Sequence, residues 1–412
     1  MAGKGLPGIC SLGERCCGCG ACEASCPRGC VSMGEDGLGF RRPSVDASRC
    51  VSCGMCDRAC PAVSPREPDA CASVWWAYAG DGTLRDASSS GGVFGLLARD
   101  ALSRGGAVYG AAFSPDFRSV RHVRVDSAGD LDVVMRSKYV QSSVGPEVYR
   151  GVADDLRAGL TVLFCGTACQ VAGLRGYLSG RRVPAGGLLA VDVICHGVPS
   201  PRLWSEWVAH REAAAGAAAS AVNFRSKTAG WLSYSVRYEY RTEKDAAPAA
   251  RVESGRFSDD WYMKAFLANA SLRGSCLACP AKRSCGSDLT LGDFWGVQSR
   301  LPAVFGASGD RGVSAVLAST TRGEGALLSL AGLERGEAAY ADVLAGNPSL
   351  EGAVAPYGRR GEFLADVAAG VPVAELERKW TFRPSALQGA VMRVRKLAGR
   401  LKRAVLGAVR RG

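Results

Sequence analysis

Cys16-Cys17-Gly18-Cys19-Gly20-Ala21-Cys22-Glu23-Ala24-Ser25-Cys26-Pro27 and Cys50-Val51-Ser52-Cys53-Gly54-Met55-Cys56-Asp57-Arg58-Ala59-Cys60-Pro61 are two copies of one pattern, Cys-x2-Cys-x2-Cys-x3-Cys-Pro. A 4Fe–4S cubane needs a thiolate at each iron corner. The tight spacing lets three come from one loop, whose amides can hydrogen-bond the sulfides. Zinc also takes Cys-x2-Cys pairs. Two complete copies, each closed by proline, favour iron–sulfur clusters over zinc. In such a doubled run the fourth Cys of each copy ligates the other cluster. One cluster is therefore assigned Cys16, Cys19, Cys22 and Cys60, and the other Cys50, Cys53, Cys56 and Cys26.

Composition agrees with this reading. The chain of 412 residues has 18 cysteines, twelve of them before residue 72. Disulfide frameworks belong to short secreted domains. Here Met1 to Ile9 has no apolar signal core, and no stretch approaches the roughly 20 apolar residues of a membrane-spanning helix. These features predict a cytoplasmic protein whose cysteines serve metal. The length allows two or three domains. Of the net charge of +12, residues 393–412 supply eight Arg/Lys and no acid, leaving +4 for the body. A nearly balanced body without aromatic interleaving argues against nucleic acid as a partner.

Residues 1–72 read as a unit of the bacterial two-cluster ferredoxin kind, with a hairpin turn at Asp36-Gly37. Ser64-Pro65-Arg66-Glu67-Pro68 reads as a linker. From Val74 strands and helices alternate, which predicts an α/β fold (α+β overall) with a parallel or mixed sheet. A helix is expected from Ser90-Gly91-Gly92 through Leu102. Strands are expected over Ala107–Phe113, Thr161–Phe164 and Leu188–Ile194, with a helix over Gln170–Leu178 before the last. Ala213–Ala221 reads as a helix end and surface loop, 232–257 as β, and the chain after about 322 as helix and loop.

Cys165, Cys169, Cys195, Cys276, Cys279 and Cys285 form a second group. Cys169 follows the strand 161–164, and Cys195 ends the strand 188–194. If these strands are parallel neighbours, both cysteines project from one carboxyl edge, where open α/β sheets place their ligands. Cys276-Leu277-Ala278-Cys279 would add a two-thiolate clip, and four thiolates from three loops would hold a third cluster. Equally, Cys169 and Cys195 would serve as small buried hydrophobes.

A run of motifs connects these cysteines: Ser89-Ser90-Gly91-Gly92-Val93-Phe94, Ser137-Lys138-Tyr139-Val140-Gln141-Ser142 and Gly166-Thr167-Ala168-Cys169-Gln170. They continue as Asp192 to Ser200 with Cys195-His196-Gly197, Phe224-Arg225-Ser226-Lys227 with Gly230-Trp231, and Ser287 to Gly296. In these motifs the stretch from about 75 to 320 resembles the beta subunit of coenzyme F-420 (deazaflavin) hydrogenases and dehydrogenases. The resemblance is to the bacterial type fused to an N-terminal dicluster ferredoxin. It implies a mixed α/β flavin/iron–sulfur domain, divided at 73–155 and 156–322, and a third 4Fe–4S cluster on Cys169, Cys195, Cys276 and Cys279. It also implies bound FAD and hydride exchange with a small molecule, a deazaflavin or another organic substrate. Ala168 stands where the family has proline. Cys10, Cys17, Cys30, Cys71, Cys165 and Cys285 receive no role.

No Gly-x-Gly-x-x-Gly fingerprint is present. Ser88 to Gly92 at a helix start suits a phosphate or an anionic flavin edge, or is a plain serine N-cap with a flexible glycine pair. Under the resemblance Ser90, Gly91, Gly92, Lys138, Tyr139, Gln141, Gly166, Thr167 and Gln170 are expected around the FAD. His196 and Lys138 are the candidate catalytic residues. His196 can donate a proton near neutrality, or simply hold its loop; Lys138 and Tyr139 can equally be surface residues of a strand. Arg225, Lys227 and Trp231 suit an anionic planar substrate, or form a solvated loop with one buried Trp. Asp293 and Trp295 are expected to shape the loop beneath the third cluster.

After a helical extension at 323–383, Leu387, Val391, Val394, Leu397, Leu401 and Val405 recur at helical spacing amid Arg393, Arg395, Lys396, Arg400, Lys402 and Arg403. This basic amphipathic helix at 384–412 would lie on an anionic membrane at its inner face, or dock on protein. Taken together the sequence predicts an FAD- and 4Fe–4S-dependent oxidoreductase. It would exchange electrons with a ferredoxin-like donor or acceptor, or with a partner redox subunit. A non-catalytic electron-transfer subunit and a redox accessory protein of surface polysaccharide synthesis are the alternatives.

Overall fold

The doubled motif folds as a doubled structure. Helices α1 (Ala21–Ser25) and α2 (Met55–Ala59) each start after a glycine with left-handed backbone, Gly20 at φ 80° and Gly54 at φ 69°. This turn, open to glycine because it lacks a Cβ, redirects the chain between the second and third cysteine of each copy. The computed structural model describes residues 5–241 and 251–382, so the basic tail at 384–412 lies outside the described residues. Between the two copies runs the expected hairpin, β1 (Val31–Glu35) with β2 (Arg41–Val45), in register from Val31↔Val45 to Glu35↔Arg41. The Asp36 carboxylate shapes its turn by accepting from Leu38 N at 2.9 Å and Phe40 N at 3.0 Å.

Nine strands make the main sheet: β3 (Ser73–Ala79), β4 (Ala107–Phe113), β5 (Val120–Val125), β6 (Ser142–Ser143), β7 (Val162–Thr167), β8 (Leu188–Val193), β12 (Leu289–Asp293), β13 (Ser314–Ala318) and β14 (Leu333–Glu337). Their order is β14-β3-β13-β12-β8-β7-β4-β5-β6. β4, β7, β8 and β12 are parallel neighbours, with Cys165 opposite Val191 and Thr167 opposite Val193. β7 and β8 read as apolar runs because both faces are covered. After the short α3 (Gly82–Asp86), α4 (Val93–Ser103) covers one face; α5 (Pro146–Arg157) and α6 (Ala168–Gly180) cover the other. Strands from 73–155, 156–322 and 323–383 thus share one sheet.

A second, antiparallel sheet has the order β11-β10-β9, from β9 (Ala218–Ser226), β10 (Ser235–Arg241) and β11 (Arg251–Arg256). Helices α7 (Pro201–Ala215) and α8 (Trp261–Leu267) pack on it and bury Trp204, Trp207, Trp261 and Tyr262. Two expectations are corrected. Ala218 to Ala221 opens β9 instead of forming a loop, and Leu333–Glu337 is an edge strand paired with β3 instead of helix or loop. Alanine and a charged, non-alternating segment carry little β signal; cross-strand pairing decides both.

The N-terminal unit is packed onto the body. α1 and α2 lie against α6, whose Gly173 and Gly176 allow the approach. A Cβ at Gly176 would stand 2.8–3.1 Å from the backbone of Ala59, and one at Gly173 3.0 Å from Cys19 Sγ. Cys17, Cys19, Ala21, Ala24 and Ala59 share a core with Phe164, Val171 and Leu174. The segment after Ser64 is anchored at its end: the Asp69 carboxylate accepts from Cys285 N and Gly286 N, both at 2.8 Å.

Candidate functional site: three cysteine quartets

The two N-terminal quartets differ in depth. Cys16, Cys19, Cys22 and Cys60 are all buried. Burial, with Cys60 and Cys16 as neighbours, holds the Cys22 thiol well above its ordinary range. A thiolate there needs a counter-charge, which iron supplies, so this donor set fits a cluster. Cys26, Cys50, Cys53 and Cys56 line a common cavity together with Cys30. Cys60 thus joins the first three cysteines and Cys26 the second three. The repeat also appears in hydrogen bonds: Gly18 N donates to Cys16 Sγ at 3.4 Å, and Ser52 N to Cys50 Sγ at 3.5 Å. Cys30, given no role by spacing, has its sulfur 3.3 Å from Cys26 Sγ.

The second cysteine group converges at the carboxyl edge of the main sheet. Cys169 sits in the first turn of α6, directly after β7, and Cys195 follows β8. Gly274–Ala278, a 3-10 turn, brings Cys276 and Cys279 to them. All four line one cleft. Burial, then Cys276 and Cys169, raises the Cys195 thiol, and burial pushes Cys276 up to about 12. These thiols too need a counter-charge to ionise, so the set fits a cluster. Cys165 and Asp192 lie on the strands behind; burial raises Asp192 to about 6. Among the described residues, no group of three or more His, Cys, Asp or Glu is arranged to hold a single metal ion. A cubane instead spreads its ligands over four irons.

The residues expected around FAD divide. Gln141, Thr167 and Gln170 line the cysteine cleft, whereas Ser90, Gly91, Gly92 and Lys138 are not among its lining residues. Gln170 Oε1 accepts from Thr167 N at 2.9 Å and Nε2 donates to Ser142 O at 2.9 Å, so this amide fixes the loop that carries Cys169. Gly166 leaves room for it, since a Cβ there would meet the Gln170 side chain at 3.1 Å. Gly91 N donates to Ser314 Oγ at 3.0 Å, and a Cβ at Gly91 would lie 2.4 Å from Ala77 O. The Ser90-Gly91-Gly92 turn is therefore packed on β3 and β13 and does not fit an open phosphate cradle. Gly92, at φ 89°, precedes α4. Burial lowers Lys138 to about 7, and its Nζ donates to Val133 O and Met135 O. Tyr139 hydrogen-bonds Arg225 through its hydroxyl at 3.2 Å and stacks on Phe266.

His196 lines the cleft, with Nε2 2.6 Å from Asn269 Oδ1. Asn269 Nδ2 donates to Ala355 O, so its Oδ1 is the acceptor and His196 carries the proton on Nε2. Burial lowers the His196 pKa against this bond, favouring the neutral ring. The expected substrate-binding trio is turned inward. Arg225 forms a two-point pair with Asp293 at 2.8 and 3.0 Å. Lys227 Nζ donates to three carbonyls, and buried Trp231 stacks on Trp295 with centroids 4.8 Å apart.

Two residues at the cleft escaped sequence reasoning. Arg273 is 0% exposed and has no carboxylate partner among the described residues. It donates to Cys16 O at 2.6 Å, Gln141 Oε1 at 2.9 Å and Arg41 O at 2.7 Å, clamping the N-terminal unit to the cleft. Cys17, next to Cys16 of the inner quartet, reaches the other way and lines the cleft together with Cys169. No local pattern signals either residue, since their partners lie far along the chain.

This fold and these quartets define an iron–sulfur redox protein. Residues 159–338 match the family described as the C terminus of the coenzyme F420 hydrogenase/dehydrogenase beta subunit, and residues 15–63 match the 4Fe-4S dicluster domain. Residues 159–338 thus carry the C-terminal domain of that family, and the N-terminal segment carries a 4Fe–4S dicluster domain. Among solved structures, a chain of the xenon-derivatised F420-reducing NiFe hydrogenase complex from Methanosarcina barkeri is similar at 15% identity. The similarity covers 76% of this chain and 92% of that chain, with a TM-score of 0.45. No curated protein matches. Among the described residues no helix is long and apolar enough to cross a membrane.

Proposed function

We propose that this protein is an iron–sulfur oxidoreductase in which three 4Fe–4S clusters connect an exposed N-terminal entry to a buried cleft at the sheet edge. Cys26, Cys50, Cys53 and Cys56 would hold the outer cluster, Cys16, Cys19, Cys22 and Cys60 the inner one, and Cys169, Cys195, Cys276 and Cys279 the third. When bound, such clusters supply one-electron transfer at potentials set by burial and by hydrogen bonds to sulfur. The observation that supports this reading is the junction at Cys16-Cys17: of two adjacent residues, Cys16 belongs to the inner quartet and Cys17 lines the cleft with Cys169. Arg273 fixes that junction, and Lys282 Nζ, donating to Cys195 O at 2.7 Å, brings a cation to the cleft.

The finer form of the reading adds FAD and hydride exchange with a small molecule, a deazaflavin being the substrate that the family description suggests. It is supported by the cleft floor, where Val193 on a central strand remains 37% exposed beside Ile194 and Cys195. An apolar strip of this kind suits a planar ring, and His196, whose Nε2 proton is held by Asn269, lies beside it. Saturation of Gly91 N, Gln170, Lys138 and Lys227 by protein groups instead favours an electron-transfer subunit that passes electrons to a separate catalytic chain. Anaerobic reconstitution with iron, sulfide and flavin analysis tests both. About twelve irons per chain are expected from three cubanes; about eight would remove the third cluster. One FAD per chain, reduced by substrate, selects the flavoenzyme; twelve irons without flavin select the electron-transfer subunit.

A further inference from the structure

The outer quartet is the part of the proposed electron path that meets solvent, and its surroundings differ from those of the other two. Cys53 is exposed, and the two large apolar side chains beside it are unusually open: Val51 at 48% and Leu6 at 58%. Ser52 Oγ donates to Gly5 O at 3.4 Å, which draws the Leu6 segment against the loop. Three exposed arginines surround this apolar spot. Arg28 lines the quartet's cavity, Arg49 donates to Arg28 O at 2.9 Å, and Arg58 donates to Cys53 O at 3.2 Å.

None of these three arginines forms an ion pair among the described residues. The two nearby carboxylates are held by local neutral donors. Asp46 accepts from Ser48 N and Oγ, and Asp57 accepts from Gly8 N and Ile9 N. On the β2 side of the same unit the arginines are paired instead, Arg41 with Glu23 and Arg42 with Asp36 and Glu14. Three arginines against the carboxylates of Asp46 and Asp57 leave the side-chain charge at the exposed quartet in positive excess.

We propose that this face, centred on Cys53 and Val51 and rimmed by Arg28, Arg49 and Arg58, docks an acidic one-electron carrier protein. The proposal rests on the reading of Cys26, Cys50, Cys53 and Cys56 as cluster ligands. An apolar centre with an arginine rim is the composition of a protein interface. A small patch suits the brief encounters of electron carriers, which bury less than about 1,200 Å². Unpaired cations steer an acidic partner and speed encounter at low salt. In the encounter one electron moves between the carrier's centre and the outer cluster, in either direction, with no bond made or broken.

The test is anaerobic stopped-flow reduction of the reconstituted full chain by a reduced acidic two-cluster ferredoxin. Wild type is compared with the triple variants Arg28→Glu/Arg49→Glu/Arg58→Glu and Arg28→Gln/Arg49→Gln/Arg58→Gln. At low salt the second-order rate constant is expected to fall at least tenfold in the glutamate variant and by an intermediate factor in the glutamine variant. The wild-type rate should drop with ionic strength, and the glutamate variant's should not. Iron content and the final extent of bleaching by excess dithionite should be equal in all three. Equal ferredoxin rates in all three, with normal bleaching, overturn the docking surface and leave the cluster reading intact. Absence of the outer cluster from wild type, seen as missing iron and signal, overturns the reading and the proposal with it.

Discussion

The cysteines around Cys53 and those around Cys195 are the same ligand in opposite settings. The outer quartet comes from two short loops closed within residues 26–56, lies at the surface and is ringed by unpaired arginines. The cleft quartet comes from three segments spread over residues 169–279, places four partly exposed cysteines on the walls of one cleft, and is assembled only when β7 and β8 pair in parallel. Each has further cysteines beside it, Cys30 outside, and Cys17 and Cys285 inside. Proximity in sequence builds a quartet that reaches the surface at Cys53. Topology builds one set in a cleft at the sheet edge.

The largest expected effect separates the two quartets. Cys195→Ser should remove about four of about twelve irons and leave the N-terminal clusters' signals intact, whereas Cys53→Ser should spare the third cluster. Iron analysis with EPR checks this; simultaneous loss of all clusters in either variant would mean that the sites are not independent. Arg273→Ala comes next. It strips Cys16 O, Arg41 O and Gln141 Oε1 of their donor in a buried setting, with an expected loss of about 3–5 kcal/mol in denaturant unfolding. Unchanged stability would show that the clamp contributes nothing.

Gly176→Val tests the docking of the ferredoxin unit more gently. Its side chain meets the Ala59 backbone, so a loss of about 1–3 kcal/mol is expected, with faster proteolysis at 64–68 and unchanged iron in the isolated product. A fully protected linker would argue against a displaced unit. The smallest effect concerns Cys17. Cys17→Ala removes a thiol that shares the cleft with Cys169 and should lower the potential of the third cluster alone, while Cys17→Ser keeps a donor there and stays near wild type. Redox titration followed by EPR reads the shift. Loss of iron in Cys17→Ala would instead make Cys17 a ligand.

Much of this was legible locally. The doubled run, the Asp36 turn, the strand over Ala107–Phe113 and the apolar strands leading to Cys169 and Cys195 follow from spacing and apolar periodicity. The roles of Gln170 and Lys227 were less legible, because a polar side chain in a motif looks the same whether it faces a cofactor or a carbonyl of its own chain. Leu333–Glu337 gave no strand signal because its pairing with β3 crosses more than 250 residues.

The sequence by itself pointed to a dicluster domain and to the inner and outer quartets as its candidate ligands, since Cys-x2-Cys-x2-Cys geometry is set by a few bonds of one loop. It also marked Cys169 and Cys195 as candidates at strand ends. Only the tertiary structure decided that Cys276 and Cys279 join them, that Cys17 and Arg273 tie the ferredoxin unit to that cleft, and that unpaired arginines ring Cys53. Burial and charge balance are properties of packed surfaces, and residues more than a hundred positions apart acquire them only when the chain closes on itself.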